Sequence, residues 1–388
     1  MIRQRHIMIL SGEYSGSLYG SLLARRIKEL RPEVRLTGVG GHHMEEAGVS
    51  LHFDSSTWGG IGPMEALKRS PYLAYAYFKL KSIIHREKPD LIILIDYPGF
   101  NMLVARVAKK LGIPTLYYFP PGKYLSPPED VLDAARTVTR VAAPLKFSFE
   151  KYTALNAAVD FVGHPLLDVL SDVDTNRTRA ELGVGPEERV VGLLPGSRLA
   201  ELEYHTGDLC RAAARLHARF PDLRFLLPLV RSKSPDLQEK AEALVKREIE
   251  SSHAPITIIT EQAHKVMAIS KLLLVSSGTA TLEATYYGTP MVIVYRVSKL
   301  TEFLAPLFHA LPFKFIGLPN ILADREIVPE LVQDQFTEDN VVREALSILD
   351  NTDRDARMRE ELKQLIPQLG PKGASERVAR IALEMLPG

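Results

Sequence analysis

Residues 91 to 96 read LIILID, apolar at nearly every position up to one aspartate. A strand with one wet face alternates polar and apolar residues, so an unbroken apolar run marks a parallel strand covered on both faces. The run is one of a series. "HIMILSG" leads into a helix with Leu18, Leu22, Leu23, Ile27 and Leu30 at helical spacing, and "VRLTGVGG" leads into "HHMEEAG". "PDLIILIDYPGFN" precedes "MLVARVAKKLG", and "IPTLYYFP" and "TRVAAP" continue the pattern. Parallel neighbours can be joined only by a crossover, so this alternation requires a doubly wound α/β sheet.

The series ends with "AAVDFVGHPLLDVL". The segment after it, "SDVDTNRTRAELGVGPEERV", is polar and charged, the composition of a crossover between domains. A second βα series then starts with "VVGLLPGSR" and runs through "DLRFLLPL", "PITIITEQ", "KLLLVSSGTATLEATYYG" and "TPMVIVYR". The expected division is an N-terminal Rossmann-like domain over 1–165 and a second over 166–355, facing each other across a cleft. A helical segment over 356–388, carrying "SERVARIALEML", would pack back across that cleft. The 388 residues are enough for two such domains, and 46% apolar with 24% charged residues is the balance of a globular enzyme. A net charge of +1 gives no whole-molecule field to favour nucleic acid. The single cysteine, Cys210, excludes an internal disulfide framework and suits a reducing compartment. The apolar run "IMIL" is too short for the core of a secretory signal, and no stretch approaches the ~20 apolar residues that cross a bilayer. The expected location is the cytoplasm, at most on a membrane surface.

Ligands of open α/β sheets bind outside the carboxyl ends of strands. Four loops stand at such ends. In "LLPGSRLAELEYH" Gly196 permits close backbone approach, Ser197 can cap, and Arg198 is a cation at a helix start, which together suit a phosphate. The alternative is a plain capped helix whose Arg198 pairs with Glu201. In "SSGTATLEATYYG" Ser277, Gly278 and Thr279 again offer donors at a helix start, and Glu283 would meet the vicinal hydroxyls of a sugar, so the pair of loops reads as a nucleotide site. The alternative there is a capping arrangement with Glu283 on the helix dipole. In "IDYPGFN" Asp96 ends a buried strand, either as a functional carboxylate or as a turn former before Pro98. The opening loop, "SGEYSGS", carries Glu13, Ser15, Gly16 and Ser17 where a dinucleotide fold has bare glycines. A carboxylate repels phosphate but accepts from, or deprotonates, a hydroxyl, so this loop suits a hydroxylated acceptor. His42 and His43 are adjacent and make a poor metal pair, Asp172 and Asp174 read as solvated linker, and Cys210 reads as core. The stretch 300–322, with Phe303, Leu304, Leu307, Phe308, Leu311, Phe313 and Phe315 between prolines, is either core or a lipid-facing surface flanked by Lys299 and Lys314.

Seven pieces together resemble the lipid-A-disaccharide synthase family: "SGEYSGSLYGSLL", "GVGGHHMEEAG", "PDLIILIDYPGFN", "GHPLLD", "LLPGSRLAEL", "SSGTATLEATYYGTPMVIVYR" and "LPNILADREIVPELVQ". They run in the family's order over nearly the whole chain. The resemblance implies a GT-B architecture and an inverting glycosyltransferase. It would move 2,3-diacylglucosamine from UDP-2,3-diacylglucosamine to 2,3-diacylglucosamine 1-phosphate, giving a β-1,6-linked disaccharide 1-phosphate and UDP. It implies that Gly196, Ser197 and Arg198 hold the diphosphate. Ser277, Gly278, Thr279 and Glu283 would complete the UDP site, with Asn320 lining it. No cofactor and no metal are expected, UDP-sugar being a substrate. The expected partners are the two acylated sugars, an inner-leaflet surface near Phe303–Phe315 and, as an open option, a second copy of the chain.

Three departures from the family pattern lie in the acceptor half. Position 17 is Ser where the loop usually has Asp. Position 99 is Gly where the family has a second aspartate regarded as the base. "FPPGKYLSPPE" lacks two tryptophans. Asp96 or Glu13 is thereby left as the catalytic base. A related UDP-sugar enzyme with another acceptor, a 2-epimerase-like enzyme, or a UDP-acylsugar-binding paralogue without transferase activity are the competing expectations.

Overall fold

The computed structural model describes the chain except for residues 1–3, 13, 56, 57, 59–62, 123–127, 171, 232, 233, 300, 301, 303–313 and 388. Two compact units emerge. The first runs to Val169 and takes up the chain again at Pro367; the second covers Leu170–Lys299 and Lys314–Ile366.

The first unit is built on a seven-stranded parallel sheet. Its strands are β1 (His6–Ser11), β2 (Arg35–Gly40), β3 (Ser50–Asp54), β4 (Leu91–Ile95), β5 (Thr115–Tyr118), β6 (Arg140–Ala143) and β7 (Val159–Phe161), in the order β3-β2-β1-β4-β5-β6-β7. The unbroken apolar run of β4 has its explanation here. Ile92 and Leu94 join Met8, Leu10 and Tyr117 in the core on one face, while Leu91, Ile93 and Ile95 join Ile7, Ile9 and Tyr118 on the other. Successive side chains point to opposite faces, and both faces are covered, so no position in the strand can be polar. Helices Pro63–Glu87 and Pro98–Lys110 cover the first face. The second is covered by helix Tyr14–Leu30 and by helix Ala374–Glu384, whose Val378, Ala379, Ile381 and Ala382 pack with Tyr19, Leu23, Ala24 and Ile27.

The second unit carries six parallel strands: β8 (Arg189–Leu194), β9 (Leu223–Leu229), β10 (Ile256–Thr260), β11 (Leu272–Ser276), β12 (Met291–Tyr295) and β13 (Glu330–Val332), ordered β10-β9-β8-β11-β12-β13. Both doubly wound sheets expected from the sequence are present.

The strand orders fix where a ligand can sit. In the first sheet the chain leaves β1 toward β2 and later returns to β4 on the other side; in the second it leaves β8 toward β9 and returns to β11. At each switch point the two following loops diverge and leave a crevice beyond the strand ends. These are the loops after Ser11 and Ile95 in one unit, and after Leu194 and Ser276 in the other.

Candidate functional site

In the second unit, β8 ends at Leu194 and the chain turns through Pro195–Arg198 into helix Leu199–Arg219. Gly196 sits at φ +129°, and a Cβ there would lie 2.4 Å from Glu201 Oε2. No other residue fits, for backbone and space alike. Glu201, in the first turn, folds back: its Oε2 accepts from Ser197 N–H (2.8 Å) and Arg198 N–H (3.2 Å), and its Oε1 meets the Arg198 guanidinium at 3.2 Å. The capped helix with Arg198 paired to Glu201, one of the two readings the sequence leaves open, is therefore the geometry present.

A turn further on, His205 is fully buried. Its Nδ1 lies 2.7 Å from Pro195 O, an atom that can only accept, so Nδ1 carries the proton. Burial lowers the ring's pKa and keeps it neutral, which leaves Nε2 to accept from Arg296 N–H (3.0 Å). His205 thereby ties the glycine turn to the chain leaving β12. Nothing in the sequence pattern distinguishes it from any helix histidine.

β11 ends at Ser276, and Ser277 Oγ donates to Ile316 O (2.8 Å). Gly278 follows at φ +157° with open space where a side chain would be, and helix Thr279–Tyr287 begins with no side-chain cap. Gly278 and Thr279 are exposed. One turn inside this helix lies Glu283, which has no hydrogen-bond or ion-pair partner among the described residues. Burial alone pushes its carboxyl up to about 7. A carboxylate with no partner among the described residues, one turn inside a helix start without a side-chain cap, is placed to accept a hydrogen bond from a hydroxyl.

Asn320 is surrounded differently from the exposed Gly278 and Thr279. Its motif implies a place lining the nucleotide site, but its side chain is wholly buried. Its Nδ2 donates to Val328 O (2.8 Å) and Glu330 Oε1 (2.7 Å), and its Oδ1 accepts from Ile327 and Val328 N–H (2.8 and 3.0 Å), which uses all four of its hydrogen-bonding positions. Glu330, unremarked in the sequence, also accepts from Ile316 and Gly317 N–H (2.8 and 3.0 Å). Asn320 is thereby linked through Glu330 and Ile316 to Ser277.

In the first unit, Asp96 and Tyr97 leave β4 with both backbones left-handed, at φ +50° and +48°. Two consecutive non-glycine residues in that region cost of order 1–2 kcal/mol each and persist only when held. Asn101 Nδ2 holds Asp96 O at 2.7 Å and Ile95 O at 3.1 Å, and the Tyr117 hydroxyl reaches Asp96 O at 3.1 Å. The half-buried Asp96 thus sits on an enforced turn at the switch point. Tyr97 lies against Gly12, where a Cβ would stand 2.2 Å from its ring. Glu13 lies outside the described residues. Ser15 is half-buried, Gly16 is packed against Ser11, and Ser17 is buried with its Oγ accepting from Gly41 N–H at 3.0 Å. Ser17 therefore braces the end of β2 from its place in that loop. Gly99 is exposed, and a Cβ added to it would meet nothing within 4 Å.

The remaining candidates resolve plainly. His42 pairs with Glu45 and Glu46, Asp174 caps helix Thr175–Glu181, Asp172 accepts from the Tyr286 hydroxyl, and Cys210 is core. Among the described residues no group of three or more His, Cys, Asp or Glu side chains is placed to hold a metal ion, and no helix is long and apolar enough to cross a membrane. The stretch Phe303–Phe313 lies outside the described residues, and of its neighbours Lys314 is exposed with its ammonium 5.0 Å from the Phe315 ring centre. The described aromatic surface lies elsewhere: Tyr72, Tyr75 and Phe78, on successive turns of helix Pro63–Glu87, are 46%, 55% and 66% exposed.

Comparison with known proteins gives the family and the fold. The family model described as lipid-A-disaccharide synthetase matches residues 7–385. The lipid-A-disaccharide synthase of Geobacter metallireducens is 37% identical over 383 residues, covering 98% of this chain and 97% of that protein. Among solved structures, the UDP-GlcNAc 2-epimerase of Neisseria meningitidis bound to UDP-GlcNAc superposes with a TM-score of 0.62 at 13% identity, covering 98% of this chain and all of that one. MurG of Acinetobacter baumannii does so at 0.59 and 14% identity, with 98% and 99% covered. At such identities these two show the fold alone.

Proposed function

The chain belongs to the lipid-A-disaccharide synthase family of UDP-sugar glycosyltransferases, and on that premise we propose how its residues divide the work of the transfer. The donor is UDP-2,3-diacylglucosamine and the acceptor 2,3-diacylglucosamine 1-phosphate. The acceptor's 6-hydroxyl oxygen bonds to the donor's anomeric carbon with inversion, the bond from that carbon to the pyrophosphate breaks, and UDP leaves with the electron pair.

Negative charge therefore grows on the pyrophosphate. The amides of the Pro195–Arg198 turn, the Arg198 guanidinium and the uncapped start of helix Thr279–Tyr287 meet it, two helix N-termini and a fixed cation set at neighbouring strand ends. Gly278 and Thr279 supply donors and close approach, Ser277 positions that turn with its hydroxyl on Ile316 O and its N–H on Val294 O, and Glu283 accepts from the ribose diol. The observation that carries this reading is Glu283: a carboxylate with no protein partner among the described residues, one turn inside a helix opened by glycine.

The attacking hydroxyl needs a base on the face opposite the leaving group. With glycine at 99, Asp96 is the carboxylate left at the β4 end, and the turn enforced by Asn101 and Tyr117 supports its role as that base; Glu13 would assist from the neighbouring loop. Acyl chains on both sugars require work at a lipid surface, for which the exposed Tyr72, Tyr75 and Phe78 provide an apolar face.

The test is incubation with UDP-2,3-diacylglucosamine, with and without the monosaccharide 1-phosphate. Disaccharide 1-phosphate and UDP are expected in equal amounts, and only with both substrates. Conversion of the UDP-sugar alone, or binding without product, would refute the reading.

A further inference from the structure

The seat that the pyrophosphate would take at the first helix start is already filled. The Glu201 carboxylate holds both N–H groups at that turn and the guanidinium beside them, and its side chain is only 12% exposed. Gly196 leaves it room to do so. The second helix start, at Gly278 and Thr279, has no such side-chain occupant among the described residues. Donors that point at Glu201 cannot at the same moment point at a phosphate oxygen, since each N–H makes one strong bond.

We propose that Glu201 is a resident anion, which holds the Ser197 and Arg198 donors in place in the free protein and yields them to the pyrophosphate of the incoming nucleotide. This rests on the assignment of the pyrophosphate to that turn. The consequences are physical. A preorganised seat needs no rearrangement of its amides when charge develops on the leaving group. The seat's affinity is also reduced by the bonds that must first be given up, so UDP, which carries the same pyrophosphate after transfer, leaves more readily. Glu201 is a positioning residue under this account. It touches the donors and not the reacting atoms.

The test is Glu201→Gln in the full chain, with UDP and uridine as calorimetric probes. The amide keeps an acceptor for the turn but surrenders its charge. UDP should bind about tenfold more tightly, the difference between a charged and a neutral hydrogen bond. Uridine, which has no phosphate, should bind as before. KM for the UDP-sugar should fall while kcat does not rise. Should that variant fail to fold, Glu201→Asp, one methylene too short to reach the seat, carries the same expectation. UDP affinity unchanged or weakened in a folded variant would overturn the inference. Arg198→Ala separates the two levels of the account. If it weakens UDP while Glu201→Gln fails to tighten it, the resident-anion role alone falls. If Arg198→Ala leaves UDP affinity untouched, the pyrophosphate assignment falls and this inference with it.

Discussion

Replacing Glu283 by glutamine should make the protein more stable and its nucleotide binding weaker, and the two effects should separate by pH. Burial pushes the Glu283 carboxyl from its ordinary 4.5 up to about 7, and no partner among the described residues offsets that cost. A folded-state pKa raised above the unfolded value means that the group's favourable contribution is fully present below pH 4.5 and is lost as pH rises through about 7. Above that range, keeping the carboxylate ionised costs about 3 kcal/mol at most, from roughly 1.4 kcal/mol per pKa unit. Glutamine escapes the cost. In a melting series from pH 4.5 to 8.5, Glu283→Gln should match the parent at the acid end and gain on the order of 5–10 °C at the alkaline end. UDP affinity at pH 8 should fall by ~1.5–3 kcal/mol, the range for a hydrogen bond to a charged acceptor. A melting difference independent of pH would show that Glu283 is not a buried unpaired carboxyl. Stabilisation without loss of UDP affinity would show that it does not meet the ribose.

Arg198→Ala should weaken UDP by ~1.5–3 kcal/mol in calorimetry, and unchanged affinity would refute its contact with phosphate. Asp96→Asn should leave UDP binding intact and abolish disaccharide formation; full turnover would remove Asp96 from the mechanism. The chain should also lose stability in acid. Burial lowers His6 to about 4 and His164 to about 3, so each is neutral when folded and binds a proton when unfolded. Stability present above pH 6.5 is then lost as pH falls toward those values, by about 2 kcal/mol per group at pH 5. His6→Gln should lessen the drop in an acid melting series, and an unchanged drop would show that His6 already titrates normally.

What the sequence made legible were features that depend on neighbours along the chain. The five residues of β4 could only be a strand covered twice, and Gly196 and Gly278 marked the turns that open two helices. The strand order sets β8 beside β11 and so brings those turns together, while crossover handedness decides only which face each connecting helix covers. What could not be read depends on partners far away in sequence. Asn320 sits in a motif that suggests a ligand contact, yet it is used up by Val328 and Glu330, because a buried amide takes whatever partners the fold supplies. His205 looks like any helix histidine until Pro195 and Arg296 meet it. Asp96 and Tyr97 adopt left-handed backbones without a glycine to announce them, because Asn101 and Tyr117 impose the turn from outside. The amphipathic pattern of residues 375–386 requires a covering surface, but not which sheet provides it; the surface is helix Tyr14–Leu30.

The division of labour, nucleotide in the second unit and alcohol in the first, is most directly tested by the structure of the protein with UDP bound. The account predicts phosphate oxygens within hydrogen-bond distance of the amides at 196–198 and 278–279, the Glu201 carboxylate displaced from its seat, and the ribose hydroxyls on Glu283. UDP bound instead against residues 12–17, with Glu201 still on Ser197 and Arg198, would contradict it.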